Sequence, residues 1–392
     1  MTGQTTAVQV ANVPMPVRAC EGTRLAYLDN LKTLLIAGII ASHAVMGYAA
    51  FGSWTYQDVQ ESTLSPVVET IFTIAVFSFG GLFLMALFFL ISGLLTQDSL
   101  VRKGSSRFVR DRLLRLGLPF AVYTLLVWPV LEFALHGPLL HQGSYWRSFA
   151  STDPVLDSGP MWFVGVLLLF SLALVAWRTS FPRPSPPSRD LRGRDLLWLG
   201  VVVGIVTFVV RIGLVADSNQ PFNAHVWAWP EYLAMFGLGV SAARHSWLRP
   251  VPDDLARWAG VTTLVVALLM PIVILSAEPL GLDAEAYFGG WHPLAFLGAL
   301  TEGLVAVSAP IWILAFAQRH LHGTGALRRA MARSSYAAFM LQGPVLVALA
   351  VMLRPTDLPG DVKALVVASL GIVGSFALAW PLVTRTLLRR IL

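Results

Sequence analysis

LKTLLIAGIIASHAVMGYAAF, residues 31–51, is long enough to cross a bilayer and carries two residues that hydrocarbon disfavours: Lys32 near its start and His43 in its interior. At about 100° per residue, the eleven-residue separation brings His43 back to within roughly 20° of Lys32, about 16 Å farther along the helix axis. One stripe therefore runs from a cation at the membrane edge to a titratable imidazole at depth. An ionisable group at such depth faces a protein interior or a wet cavity and marks a functional site. The competing reading is a histidine hydrogen-bonded between helices.

Composition extends this reading to the whole chain. Of 392 residues 56% are hydrophobic and only 13% charged, and the mean hydropathy is +0.67, outside the soluble globular range. Ten apolar segments follow: Leu31–Phe51, Thr70–Leu95, Leu113–Leu135, Met161–Trp177, Leu196–Val215, Glu231–Ala243, Ala259–Ser276, Pro293–Ala317, Tyr336–Leu353 and Val362–Leu388. The expected fold is an all-α integral membrane protein of about ten transmembrane helices.

Loop charge gives the orientation. Arg102, Lys103, Arg107, Arg110, Arg112 and Arg115 fill the second loop; Arg178, Arg183, Arg189, Arg192 and Arg194 the fourth; Arg244, Arg249 and Arg257 the sixth; Arg319, Arg328, Arg329 and Arg333 the eighth. These loops are predicted to be cytoplasmic, and both termini with them, while Asp58, Glu61, Asp153, Asp157, Asp217, Glu278, Asp283 and Glu285 face outward. The net charge of +6 is accounted for by helix ends and anionic headgroups, so no nucleic-acid partner is expected. Residues 1–24 read as a disordered cytoplasmic tail without signal-peptide order, and 25–392 as a single transmembrane domain in the cell (plasma or inner) membrane. Cys20 has no partner for an internal disulfide. Residues 179–195 and 245–258 read as linkers, the first rich in Pro, Ser and Arg.

Phe88, Phe89, Leu90, Ile91, Ser92 and Gly93 close the second segment, and Phe108, Arg110, Arg112, Arg115 and Pro119 open the third. A Ser-Gly pair permits close backbone approach. Arg112 and Arg115, three apart, are expected to share a helix face, where two guanidinium forks suit phosphate. Glu302 lies about mid-membrane and is expected either to pair with Arg211 or to face a substrate; Glu132 and Glu231 are expected to be solvated. Trp54 and Trp162 fall near the outer interface, where aromatics occur without function but also stack on sugar rings. His136, His141, His225 and His292 have no metal-site spacing, and no metal is expected.

Tyr27, Leu28, Asp29, Asn30, Leu31 and Lys32 through His43, then Ser53, Trp54 and Tyr56, resemble the first helix and outer loop of the membrane acyltransferase-3 family, particularly its glucan biosynthesis protein C branch. The FFLISG run, the Phe-Arg-Arg-Pro spacing, Gly159–Phe163 and Ser334, Ser335, Tyr336 extend the resemblance over nearly the whole chain. It implies an acyltransferase that moves an acetyl or other short acyl group from cytoplasmic acyl-CoA to a hydroxyl of an exported glycan or secondary metabolite.

On that reading His43 and Lys32 are the catalytic candidates, with His43 as general base because imidazole titrates near working pH. Arg112, Arg115, Ser92 and Gly93 are candidates for holding the CoA donor. Glu302, Trp54, Trp162 and Gln342 are candidates for the acceptor side. Two departures stand out: Lys32 replaces the family's usual Arg and loses its bidentate fork, and Gln342 stands where relatives often carry His, which removes a titrating group. The alternatives are a proton-coupled transporter or flippase, with His43 and Glu302 relaying protons, and a non-catalytic membrane partner.

Overall fold

Every regular element among the described residues is helical, which lets each backbone segment in lipid satisfy its own hydrogen bonds. The computed structural model describes residues 26–50, 54–58, 62–75, 81–136, 156–181, 190–216, 218, 220–275 and 284–386. The expected tail at 1–24 with Cys20, the Pro-rich stretch 182–189, Ser53, Glu61, His141, Asp153, Asp217, Glu278 and Asp283 lie outside them.

The helices are α1 (Ala26–Met46), α2 (Pro66–Ile74), α3 (Gly81–Lys103), α4 (Ser105–Leu135), α5 (Trp162–Ser180), α6 (Gly193–Gly213), α7 (Trp229–His245), α8 (Asp253–Leu275), α9 (Pro293–His320), α10 (Ala326–Leu353) and α11 (Gly360–Arg385). Among the described residues nine of them, all but α2 and α7, are long and apolar enough to cross a membrane. The chain is a multi-pass membrane protein.

Two expected spans come out differently. The apolar run Thr70–Leu95 is divided between α2 and α3. α2 is tied by polar bonds to the outer segment: Glu69 accepts from the Ala50 N–H at 3.1 Å, and the Ser65 N–H just before α2 donates to Asp361 at 2.9 Å. α7 has 17 residues, about 26 Å at 1.5 Å per residue, and a 3₁₀ turn, Val226–Ala228, leads into it. The expected linker at 245–258 shrinks accordingly, since α8 begins at Asp253.

α4 contains two π turns, Leu113–Gly117 and Tyr123–Val127, each followed by a proline. Pro119 has no N–H to give the Arg115 carbonyl four residues back; the Tyr336 hydroxyl of α10 donates to it at 3.0 Å.

Small residues let other helices meet backbone to backbone. A Cβ on Gly93 of α3 would lie 2.3 Å from the Phe236 carbonyl of α7, and one on Gly239 would lie 2.3 Å from the Leu90 carbonyl. α6 and α9 cross likewise, with a Cβ on Gly303 only 2.5 Å from the Gly204 nitrogen. At the predicted inner end, Asn30 donates to the Leu321 and Gly323 carbonyls at 2.7 and 2.9 Å, satisfying groups left open beyond the α9 C-terminus. Thr33 and Ser335 meet at 3.1 Å between α1 and α10.

At the other end the segment after α1 folds back over the bundle. The Tyr56 hydroxyl contacts Asp58 at 2.9 Å and the Ala350 carbonyl at 3.3 Å, and Lys363 pairs with Asp58 at 3.4 Å. These bonds carry Trp54 inward.

Candidate active site

His43 sits in the last turn of α1, half-buried. Its Nδ1 lies 3.2 Å from Oε1 of Gln342 on α10. An amide oxygen only accepts, so Nδ1 carries the hydrogen and Nε2 keeps its lone pair. Trp54 stacks on the imidazole with centroids 4.4 Å apart and planes 14° from parallel. Trp54 also meets Trp128 of α4, edge-on at 5.9 Å.

Trp128 is fixed in turn. Its Nε1 donates to Asp157 Oδ2 at 2.9 Å, and Asp157 Oδ1 accepts the Gly159 N–H at 2.8 Å. Gly159 has φ +48°, and a Cβ there would lie 2.5 Å from the Trp128 ring, so both backbone geometry and space favour glycine. Burial pushes the Asp157 carboxyl above its ordinary range, opposed by the N–H groups of Gly159 and Trp128. The result is a histidine of fixed tautomer between an amide and an indole face, in a box of aromatic rings inside a membrane protein.

The family model for the acyltransferase domain, acyltransferase-3, matches residues 25–384. The chain belongs to the acyltransferase-3 family. It is therefore an acyltransferase, with an acyl donor and an acceptor as its substrates, and the transporter reading is not favoured. No curated protein and no solved structure gives a significant match.

Within this acyltransferase-3 fold, four of the residues singled out from sequence occupy the two ends of α1. His43, Trp54 and Gln342 come together at one end; Lys32 lies at the other, paired with Asp29 at 3.0 Å. Arg112 donates to Thr96 of α3 at 2.8 Å with its guanidinium 5.0 Å from the Phe108 ring, whereas Arg115 is exposed. Gly93 is occupied by the α7 backbone, and Ser92 beside it is half-buried.

Trp162 meets other rings than that of His43. It packs against His225 at 4.4 Å and Tyr232 at 5.7 Å and lines a crevice of about 220 Å³ with Phe120, Gly165 and Phe222. Glu302 pairs with Arg211 at 2.5 Å and accepts from Tyr287 at 2.8 Å, the first of its two expected arrangements. The solvated reading of Glu231 is wrong: it is fully buried beside this pair, because α7 starts inside the bundle and not at its rim. Glu132 is half-buried and accepts from Thr55.

Sequence reading missed Trp128, Asp157 and Tyr123. A tryptophan in an apolar run reads as interface decoration, and Asp157 as one more outer charge. The one available signal was the carboxylate two residues before Gly159-Pro160, a spacing suited to a turn that holds a side chain in place. Also missed was a cleft of about 430 Å³ between the predicted inner ends of α3 and α7, lined by Gln97, Asp98, Arg102 and Arg244. Arg178 donates to Gln97 at 2.5 Å and Arg249 to Asp98 at 2.8 Å.

Proposed function

We propose that this protein transfers an acetyl or other short acyl group from a cytoplasmic acyl-CoA to a hydroxyl of an exported glycan or secondary metabolite, with His43 as the general base. The observation that carries the reading is the Nδ1 contact of His43 with Gln342 Oε1, 3.2 Å long and under the Trp54 ring. It leaves Nε2 as the nitrogen that takes the acceptor's proton as its oxygen attacks the thioester. Gln342 cannot titrate. Here it acts as the orienter of the base, which an amide serves as well as an imidazole would.

The donor side is assigned to the basic rim. Arg112, Thr96 and the cleft bearing Arg102 and Arg244 lie at the end of the bundle where the positive-inside rule places the cytoplasm, and guanidinium groups suit the CoA phosphates. Lys32, paired with Asp29, belongs to the same entry side. The pantetheine arm then spans the stripe from Lys32 to His43. Trp54 and Trp162 remain the acceptor-side aromatics, and Ser92 serves the donor path.

The test is His43→Ala in the full-length protein, followed by mass spectrometry of exported glycans and metabolites from cells that carry it as their only copy. Loss of the acylated product with normal membrane insertion is the expected result. Wild-type product levels would remove His43 from the reaction.

A further inference from the structure

We propose that the side-chain amide of Gln342 and the hydroxyl of Tyr123 form the oxyanion site of the transfer, receiving the thioester carbonyl oxygen as it gains charge. This rests on the acyl-transfer reading of His43. Gln342 is fully buried, and while its Oε1 accepts from His43, its Nε2 has no hydrogen-bond partner. Tyr123 is 2% exposed, and its hydroxyl is also unpartnered.

Tyr123 packs against the chain position next to Gln342. A Cβ on Gly343, the residue after Gln342, would lie 2.6 Å from the Tyr123 hydroxyl oxygen and 3.1 Å from the Trp128 ring. Tyr123 stacks on Trp128 with centroids 6.0 Å apart, and Trp128 borders the Trp54 that covers His43. Tyr123 opens the second π turn of α4, a distortion that often marks functional positions. Each buried, unbonded donor carries an uncompensated desolvation cost. One of them belongs to the residue that orients the base and the other is joined to the base through the stacked Trp128 and Trp54 rings; one ligand oxygen would satisfy both.

The step balances without a further reactant. The acceptor oxygen attacks the carbonyl carbon and gives its proton to His43 Nε2, while the C=O π pair moves onto oxygen and is held by the Gln342 N–H and the Tyr123 O–H. The pair then returns, the C–S bond breaks, and the leaving thiolate takes the proton from His43. Donors of this kind are aimed at charge present only in the transition state, so their loss falls on turnover and not on binding.

The test follows thiol release from acetyl-CoA by membrane vesicles carrying the full-length protein, counted above His43→Ala vesicles. Tyr123→Phe deletes only the hydroxyl, and Gln342→Glu keeps an oxygen for His43 Nδ1 while deleting the N–H. Each is expected to lower kcat roughly 100-fold with the KM for acetyl-CoA within about twofold, and Tyr123→Phe should leave the pH profile in place. In a His43→Ala background the carbonyl stretch of bound ¹³C-acetyl-CoA should sit below its value in water and rise when Tyr123→Phe is added. His43-dependent release with both variants within threefold of wild type would overturn the oxyanion site and leave the base assigned. No His43-dependent release would overturn the acyl-transfer reading, and this inference with it.

Discussion

Arg211 on α6 and Glu302 on α9 form an ion pair of 2.5 Å in which the two side chains are 2% and 6% exposed. Glu231 of α7 is fully buried beside them, and neither of its oxygens has a hydrogen-bond partner. One guanidinium thus faces two carboxyl groups away from water. Trp227 covers the guanidinium with its ring centroid 5.0 Å away.

Breaking such a pair strands a charge, which costs about 3–5 kcal/mol. Arg211→Met, leaving the Glu302 carboxylate without its partner, is expected to lower the detergent-solubilised melting temperature sharply. Glu231→Gln keeps the side-chain shape without removing a hydrogen bond and should melt close to wild type. Equal melting of Arg211→Met and wild type would show the pair to be dispensable.

The Gly93–Gly239 crossing allows a contrast in sign. Gly93→Ala drives a methyl into the α7 backbone and should destabilise the protein. Gly38→Ala on α1 meets nothing within 4 Å and should gain up to roughly 1 kcal/mol from helix propensity. Thermal melts of both variants check this, and a stabilised Gly93→Ala would mean that the two helices separate at little cost.

Arg112 and Arg115 should differ as donor-site residues despite their spacing. Arg112 is drawn toward Thr96 at the rim, while Arg115 is exposed. A charge-assisted hydrogen bond is worth about 1.5–3 kcal/mol, so Arg112→Ala should weaken acetyl-CoA binding by roughly 10- to 100-fold. Arg115→Ala should weaken it less than threefold. Titration calorimetry in detergent separates the outcomes, and equal losses would place both guanidiniums on the ligand.

Asp157 should make stability depend on pH. Burial raises its carboxyl pKa above the unfolded value, so the folded protein retains a proton that the unfolded chain releases. That contribution is complete below the ordinary carboxylate pKa near ~4 and is lost as pH rises through the folded value. The melting-temperature difference between wild type and Asp157→Asn should therefore shift against wild type as pH climbs from 4 to 7. A flat difference would mean that folding leaves the Asp157 pKa unshifted.

Much of the molecule could be read from local sequence. Apolar runs of bilayer length gave the helices, Gly93 signalled a close approach, and the Lys32–His43 spacing put a base candidate on an interior stripe. The errors share a cause. The run Thr70–Leu95 is uniformly apolar, and nothing local reveals that Glu69 bonds to the chain at Ala50. Glu231, near the end of a short segment, reads as solvated until α6 and α9 are seen to enclose it.

By itself, then, the sequence determined that this chain lives in a membrane as a set of helices, because apolar runs of bilayer length satisfy their backbone hydrogen bonds in lipid by coiling on themselves, and that Lys32 and His43 share one face of α1. Only the tertiary structure decided what His43 meets. Gln342 is 299 residues away along the chain, and the Trp54 face, Trp128 and Tyr123 arrive from a folded-back segment and a π-distorted helix. Side-chain direction within a helix follows from periodicity, but which helix stands opposite is set by backbone crossings such as Gly93 on Gly239, and those depend on two distant segments at once.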